Sequence, residues 1–367
     1  MVAKYVCGVL VIGISYLVYA FIGIMDINKT LVLKNNEGCE KIHLPMATED
    51  LAVFGELLIG ATFDSIPCFF KHLDASSSMP GYLISIDPKT KSVKQIVTHD
   101  FPAEFQLNAH GIKLFNNKTL YVISHGYAKG GERIHLFDLE EIDEDVHATF
   151  KESFYFEGDH GIYNGIALVD EKHFYITQWL PFPDLAEGRD NSFLVGLKRV
   201  LLQLFSSKSP VKLCTVIGKS KVKCEPKAFG YMPNGIFYDN KQLFVADSTE
   251  KSVVIYNVKD NFDLEFVQKV QNDHAVDNLW GKDGEIYVAG IAKVIDYIKF
   301  TEAIKKGHPA TNLPGGASKI YFKDGKWTAE VIVMQDVFEL ATSVVVTDKI
   351  YLASIHEKEI LMCPKLS

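Results

Sequence analysis

Residues 232–258, MPNGIFYDNKQLFVADSTEKSVVIYNV, decide the fold. They open on Asn234-Gly235-Ile236, turn at 239–241 and return as the apolar run 242–247. A polar break at 248–251 follows, then a second alternating run over 252–258. Period-two alternation bounded by Asn, Asp and Ser reads as a meander of short antiparallel strands. The opening triplet recurs as His110-Gly111-Ile112 and Asn164-Gly165-Ile166, with Asp277-Asn278-Leu279 in the matching place further on. Each time a polar side chain precedes a strand that folds straight back on itself.

Working outward, the chain divides into six units of roughly 40–70 residues, each of three or four strands. They start near Thr48, His110, Asn164, Asn234, Asp277 and Thr342. Repeated four-stranded sheets imply an all-β protein, a six-bladed β-propeller over 39–367. The sixth unit ends about one strand short, and the strand after Cys39 would complete it, closing the ring with N- and C-terminal strands. A large β-sandwich is the alternative; the unit spacing and the cysteines near both ends favour the ring.

An apolar content of 47% is ample for a core, and 24 Phe with 16 Tyr suit strands. The net charge of −8 argues against a nucleic-acid partner. Residues 5–25, YVCGVLVIGISYLVYAFIGIM, form an uncharged run of about bilayer-spanning length. The reading is a transmembrane signal anchor at 5–25 behind a cytoplasmic 1–4, joined to the ring by a connector at 26–38. The propeller then lies in the endoplasmic-reticulum lumen or outside the cell. Two glycosylation sequons, at Asn28 and Asn117, fit that compartment. Cys39–Cys363 and Cys214–Cys224 are the economical disulfides, although the five cysteines outside the apolar run allow other pairings. Residues 191–205, NSFLVGLKRVLLQLF, read as an inserted amphipathic helix, lying either on a membrane surface or over the propeller face.

The first polar residue of each inner strand points at a common axis in a propeller. Glu49, Asn164, Asn234, Asp277 and Asn278 then converge from four blades as hard oxygen donors, the set that Ca²⁺ takes. Taken singly, Asn-Gly is a turn signal; the recurrence carries the inference. Counting outward from a two-residue loop at Asn117-Lys118 sets His110 opposite His125, side by side at the channel mouth. One imidazole could then serve as general base toward water and the other tune it; a hydrogen-bonded pair holding two strands together is the other reading. The same count from Asn240-Lys241 sets Asn234 opposite Asp247, which would orient it.

At these residues the chain resembles the paraoxonase/arylesterase family: an N-terminal apolar segment, Cys39, TEDL at 48–51, NAHGI at 108–112, His125, YNGIAL, PNGI, VDNL and Cys363. The resemblance covers nearly the whole chain. It implies a six-bladed, calcium-dependent hydrolase of lactones and aryl esters. Glu49, Asn164, Asn234, Asp277 and Asn278 match the family's catalytic calcium ligands, and His110–His125 its dyad. A second, structural calcium would take Asp50 and the Ile112 carbonyl, but its remaining acidic position is Gly165 here. Gln178-Trp179 replaces an acidic residue and a histidine of the family's pattern. The 191–205 helix matches a segment that faces lipid in the family. Invertebrate proteins resembling this family also act as membrane-bound chaperones or accessory subunits of ion channels, which is the alternative function.

Overall fold

The structure is a computed structural model. It describes residues 22–69, 79–126, 131–156, 161–181, 208–308 and 312–365, with isolated positions at 15, 18, 19 and 194. The cytoplasmic 1–4, nearly all of the 5–25 run and of the 191–205 helix lie outside the described residues. Among the described residues, no helix is long and apolar enough to cross a membrane.

Among the described residues, the strands form six blades of at least four strands each. Four are separate four-stranded sheets, and the second and third merge into one nine-stranded sheet; all but the sixth run in chain order from the axis outward. The inner strands are Thr48–Phe54, Ala109–Phe115, Ile162–Leu168, Pro233–Asp239, Ala275–Lys282 and Ala341–Val346. Each packs against the next, and Ala341–Val346 packs against Thr48–Phe54, so the ring closes. Glu40–His43 pairs antiparallel with Glu359–Pro364 as the outermost strand of the sixth sheet, the completion that the sequence implied. Val97–His99 adds an extra strand to the second sheet. A single parallel pairing, Tyr155 with Lys221, joins the second sheet to the third.

Alternation is what lets these sheets stack. One face of each strand feeds the core on one side and the other face feeds the next. Phe237 and Phe244 of the fourth sheet pack with Leu279 and Val288 of the fifth. Ile84 of the first packs with Val345 and Tyr351 of the sixth, which seals the ring. Turns fall on residues that tolerate left-handed backbone: Asn240 and Lys241 (φ 47° and 59°), Asp283 and Gly284 (55° and 78°).

Both economical disulfides are present. Cys39–Cys363 ties the two ends of the ring across 324 residues, and Cys214–Cys224 links adjacent strands of the third sheet. They belong to an oxidising compartment. Cys68 is in neither bridge and is buried beside Phe63 and Phe300. The sequence reading assigned no element to 292–317; the structure places a helix at Val294–Lys305, packed over the ring through Phe300.

Candidate active site and metal centre

In all six sheets the ladder slips by one residue at the same end of the inner strand. Thr48 opposes Thr62, but Leu51 already opposes Gly60. The same extra residue appears between Ala109 and Ile112, Tyr163 and Ile166, Pro233 and Ile236, Val276 and Leu279, and Ala341 and Ser343. Inside those slips lie Glu49 and Asp50, His110, Asn164, Asn234, Asp277 and Asn278, and Thr342. A bulge releases side chains from strict alternation and re-aims them. Here six bulges in register build one site.

Glycine in the triplets therefore has a different role from the turn signal. A Cβ on Gly111 would stand 2.1 Å from the Asn164 carbonyl oxygen, and one on Gly235 would stand 2.5 Å from Asn278 Cα. The inner strands approach too closely there for any side chain.

The bulges also correct both hairpin counts. Phe115 opposes Thr119 across the three residues 116–118, and His110 falls inside the slip, so it is not directly opposite His125. The two rings nevertheless meet, with centroids 4.5 Å apart and planes at 50°. Asn117 sits exposed in that turn, where the Gly55 amide donates to its Oδ1; Asn28 is exposed too. Asp247 opposes Pro233, not Asn234. Its oxygens accept from the Tyr231 and Met232 amides at 2.8 and 3.3 Å. Ser248 orients Asn234 instead: Asn234 Nδ2 donates to Ser248 Oγ at 3.1 Å, and Ser248 Oγ donates to the Val276 carbonyl at 2.6 Å.

Glu49, Asn164, Asn234, Asp277 and Asn278 converge. Asn278 Nδ2 donates to Glu49 Oε1 at 2.6 Å, and Asn164 Nδ2 lies 2.9 Å from His110 Nε2. His110 Nε2 is in turn 3.7 Å from Glu49 Oε1. With these amide nitrogens engaged by protein acceptors, Glu49 Oε2, Asn164 Oδ1 and Asn234 Oδ1 are buried with no hydrogen-bond partner among the described residues. Burial, then the charges of Asp50 and Asp277, push the Glu49 carboxyl well above the usual range, against the Asn278 hydrogen bond. Burial likewise pushes Asp277 up to about 8, opposed by Asn234 and aided by Asp50. Buried oxygens without donors, next to carboxylates that resist ionising, fit a bound cation. Carboxylate and amide oxygens without sulfur suit Ca²⁺. Among the described residues, no group of three or more His, Cys, Asp and Glu gathers as a metal site; amides supply three of the five residues in this set.

The second calcium expected at Asp50 and Ile112 does not fit. Asp50 Oδ1 accepts from the Leu51 amide at 2.9 Å and the Ser343 hydroxyl at 2.6 Å. Its Oδ2 accepts from the Ile112 amide at 3.0 Å. Burial raises the Asp50 carboxyl above its ordinary range, against these hydrogen bonds and, last, the charge of Lys113, which stacks 4.2 Å over the Phe237 ring. Burial nonetheless pulls the lysine down to about 8, with Asp50 and Asp239 holding it up. Protein donors and a lysine satisfy Asp50, and Gly165 offers no oxygen side chain.

Sequence reasoning missed Glu132. It lies directly opposite His125 on the neighbouring strand, with Oε2 at 2.9 Å from His125 Nδ1. Its Oε1 accepts from the Tyr163 amide at 2.8 Å. A buried histidine next to an acidic residue one strand over is the signal, and it becomes visible only once the strand register is known. Of the cluster, Glu49, His110, Asn164, Asn234 and Asp277 line a cavity of about 210 Å³. Trp179, Met232, Val276, Tyr297, Leu340 and Ile355 contribute to its walls. Trp179 thus faces the site from the position where the family pattern differs.

A ring of six blades with buried acceptor oxygens gathered at one end of its axis defines the class, a propeller with a candidate site on its axis. The arylesterase family profile matches residues 66–301, and the chain belongs to that family. It is 26% identical to rabbit (Oryctolagus cuniculus) serum paraoxonase/lactonase 3 over 71% of this chain and 72% of that protein. Two solved structures share the fold at 12% identity. One, assigned as a gluconolactonase, covers 90% of this chain and 94% of its own at a TM-score of 0.52. The other, a luciferin-regenerating enzyme, covers 90% and 95% at 0.50.

Proposed function

We propose that the protein is a calcium-dependent hydrolase of lactones and aryl esters. One observation carries the reading: three acceptor oxygens without a partner among the described residues converge beside His110, whose ring meets that of His125, in the lining of a mostly apolar cavity. Membership of the arylesterase family supports it. Glu49, Asn164, Asn234, Asp277 and Asn278 would hold the calcium, which when bound polarises the ester carbonyl and stabilises the oxyanion. Apolar walls bind the acyl or aryl group and exclude bulk water. His110, at the ligand cluster, takes the proton of the attacking water. His125 shares the resulting positive charge, and Glu132 holds its ring in place as the carboxylate of a triad does. Asn164 links the two halves, with its oxygen toward the ligand set and its nitrogen toward His110.

The expected setting is a propeller anchored by the 5–25 run in the endoplasmic-reticulum lumen or outside the cell, with glycans at Asn117 and Asn28. Purified protein should hydrolyse a lactone or phenyl ester, lose that activity to a chelator, and lose on the order of 10²–10⁴ of it in His110→Gln. A folded, calcium-loaded protein with no turnover on a broad ester and lactone panel would sink the reading. Co-purification with an ion-channel subunit would then favour the chaperone alternative.

A further inference from the structure

Part of the cavity wall comes from outside the ring. Residues 22–24 end a helical turn, and the chain that follows lies across the ligand end of the propeller. Ile24 and Met25 line the cavity, and Met25 is only 7% exposed. Four contacts pin this stretch down. Asp26 Oδ1 pairs with Lys251 Nζ at 2.5 Å, with side chains 9% and 13% exposed. Lys251 Nζ also donates to the Gly23 carbonyl at 3.1 Å. The Ile295 amide donates to the Met25 carbonyl at 2.9 Å, and Lys29 Nζ donates to the Ala292 carbonyl at 2.9 Å. Lys251 stands in the turn between the second and third strands of the fourth sheet, next to Ser248, which orients Asn234. Val294, whose amide donates to Asp26 Oδ2 at 3.3 Å, also lines the cavity.

An ion pair this sheltered holds its geometry far better than an exposed one, because neither partner can be resolvated without moving the chain. Its position fixes Met25 over a cavity that is polar only at the floor. Methionine, unbranched and polarizable, fills an irregular apolar gap and yields to its contents. We infer that Met25, clamped by Asp26–Lys251, is a specificity-determining residue that limits the length of the apolar arm of the substrate. The substrate carbonyl sits at the floor, and its alkyl or aryl arm runs up the wall to the methionine. This inference deepens the proposed hydrolase and rests on that reading for its substrate class.

The test uses the full chain with calcium and a series of esters that differ only in straight acyl chain length. Met25→Ala should raise kcat/KM for the longest acyl chain relative to the shortest by about tenfold, and Met25→Phe should lower it by a similar factor. Asp26→Asn and Lys251→Met, which release the clamp, should each flatten the dependence on chain length. The exchange Asp26→Lys with Lys251→Asp should restore it, which a loss of fold would not. Ratios within twofold of the parent in both Met25 variants would overturn the inference. A readout independent of turnover is the quenching of tryptophan emission by straight-chain carboxylates, with Trp179→Phe as the control. If the parent hydrolyses nothing, the hydrolase reading fails alone. Binding that shifts with chain length in Met25→Ala still upholds the wall, and unshifted binding removes it.

Discussion

Glu49 and Asp50 are neighbours in sequence and inhabit opposite environments. Glu49 Oε2 is buried with no hydrogen-bond donor among the described residues, and two further carboxylates crowd it. Asp50 has three donors, from Leu51, Ser343 and Ile112, with Lys113 close by. One bulge sends two carboxylates to two tasks. The difference teaches that a carboxylate on the propeller axis is open to a cation, the role proposed for Glu49, where the fold withholds its own donors. Where donors are supplied, the same group knits blades together.

The largest test breaks the Glu49 side. Asp277→Ala, or chelation of the parent, should cost on the order of 10³ in turnover, and calorimetry should show calcium binding lost. Calcium bound with undiminished affinity in Asp277→Ala would remove that residue from the ligand set. A smaller effect is expected one step from the ligands. Glu132→Gln keeps the shape but removes the charge facing His125, so turnover should fall by roughly tenfold to a hundredfold. Undiminished turnover would mean that Glu132 serves only the Tyr163 amide.

The Asp50 side should respond in stability rather than in chemistry. Asp50→Asn weakens charge-assisted hydrogen bonds between blades and should cost about 2–4 kcal/mol in denaturant unfolding. Calcium stoichiometry should stay at one per chain. A drop from two to one on this substitution would reinstate the second cation. At neutral pH the smallest effect belongs to His135, on the third strand of the second blade. Burial, and then the charge of Arg133, pulls it down to about 3, while its ordinary value is 6.5. Its contribution to stability is complete above pH 6.5 and is lost as pH falls from there toward 3, at up to about 1.4 kcal/mol per unit. His135→Gln should flatten the stability profile across that window, measured by urea unfolding at a series of pH values.

Much of this was legible because strand alternation is local chemistry. The six-unit rhythm and the closing strand before 45 follow from period-two patterning and from the cost of open sheet edges, whereas the pairing of the terminal cysteines was only the economical one among several. The ligand candidates were visible as a recurrence, Asn164, Asn234 and Asp277 each opening a unit. Their geometry was not visible. The counts that set His110 against His125 and Asn234 against Asp247 assumed two-residue turns and an unbroken ladder; one extra residue per blade defeated both, and a three-residue turn at 116–118 added to the first error. Glu132 and Met25 escaped for a related reason. One sits a strand away from its histidine, and the other lies more than 200 residues from the lysine that clamps it.

The sequence by itself determined the repeating sheets, the ring they close into, and the residues that gather at one end of the axis. Those follow from side-chain polarity and spacing along a single strand, which residue order encodes. The tertiary structure decided what each gathered residue does. Whether an oxygen is left without a donor depends on amides and hydroxyls arriving from other blades, as Ser343 reaches Asp50 and Ser248 reaches Asn234. No local pattern records where those donors come to rest.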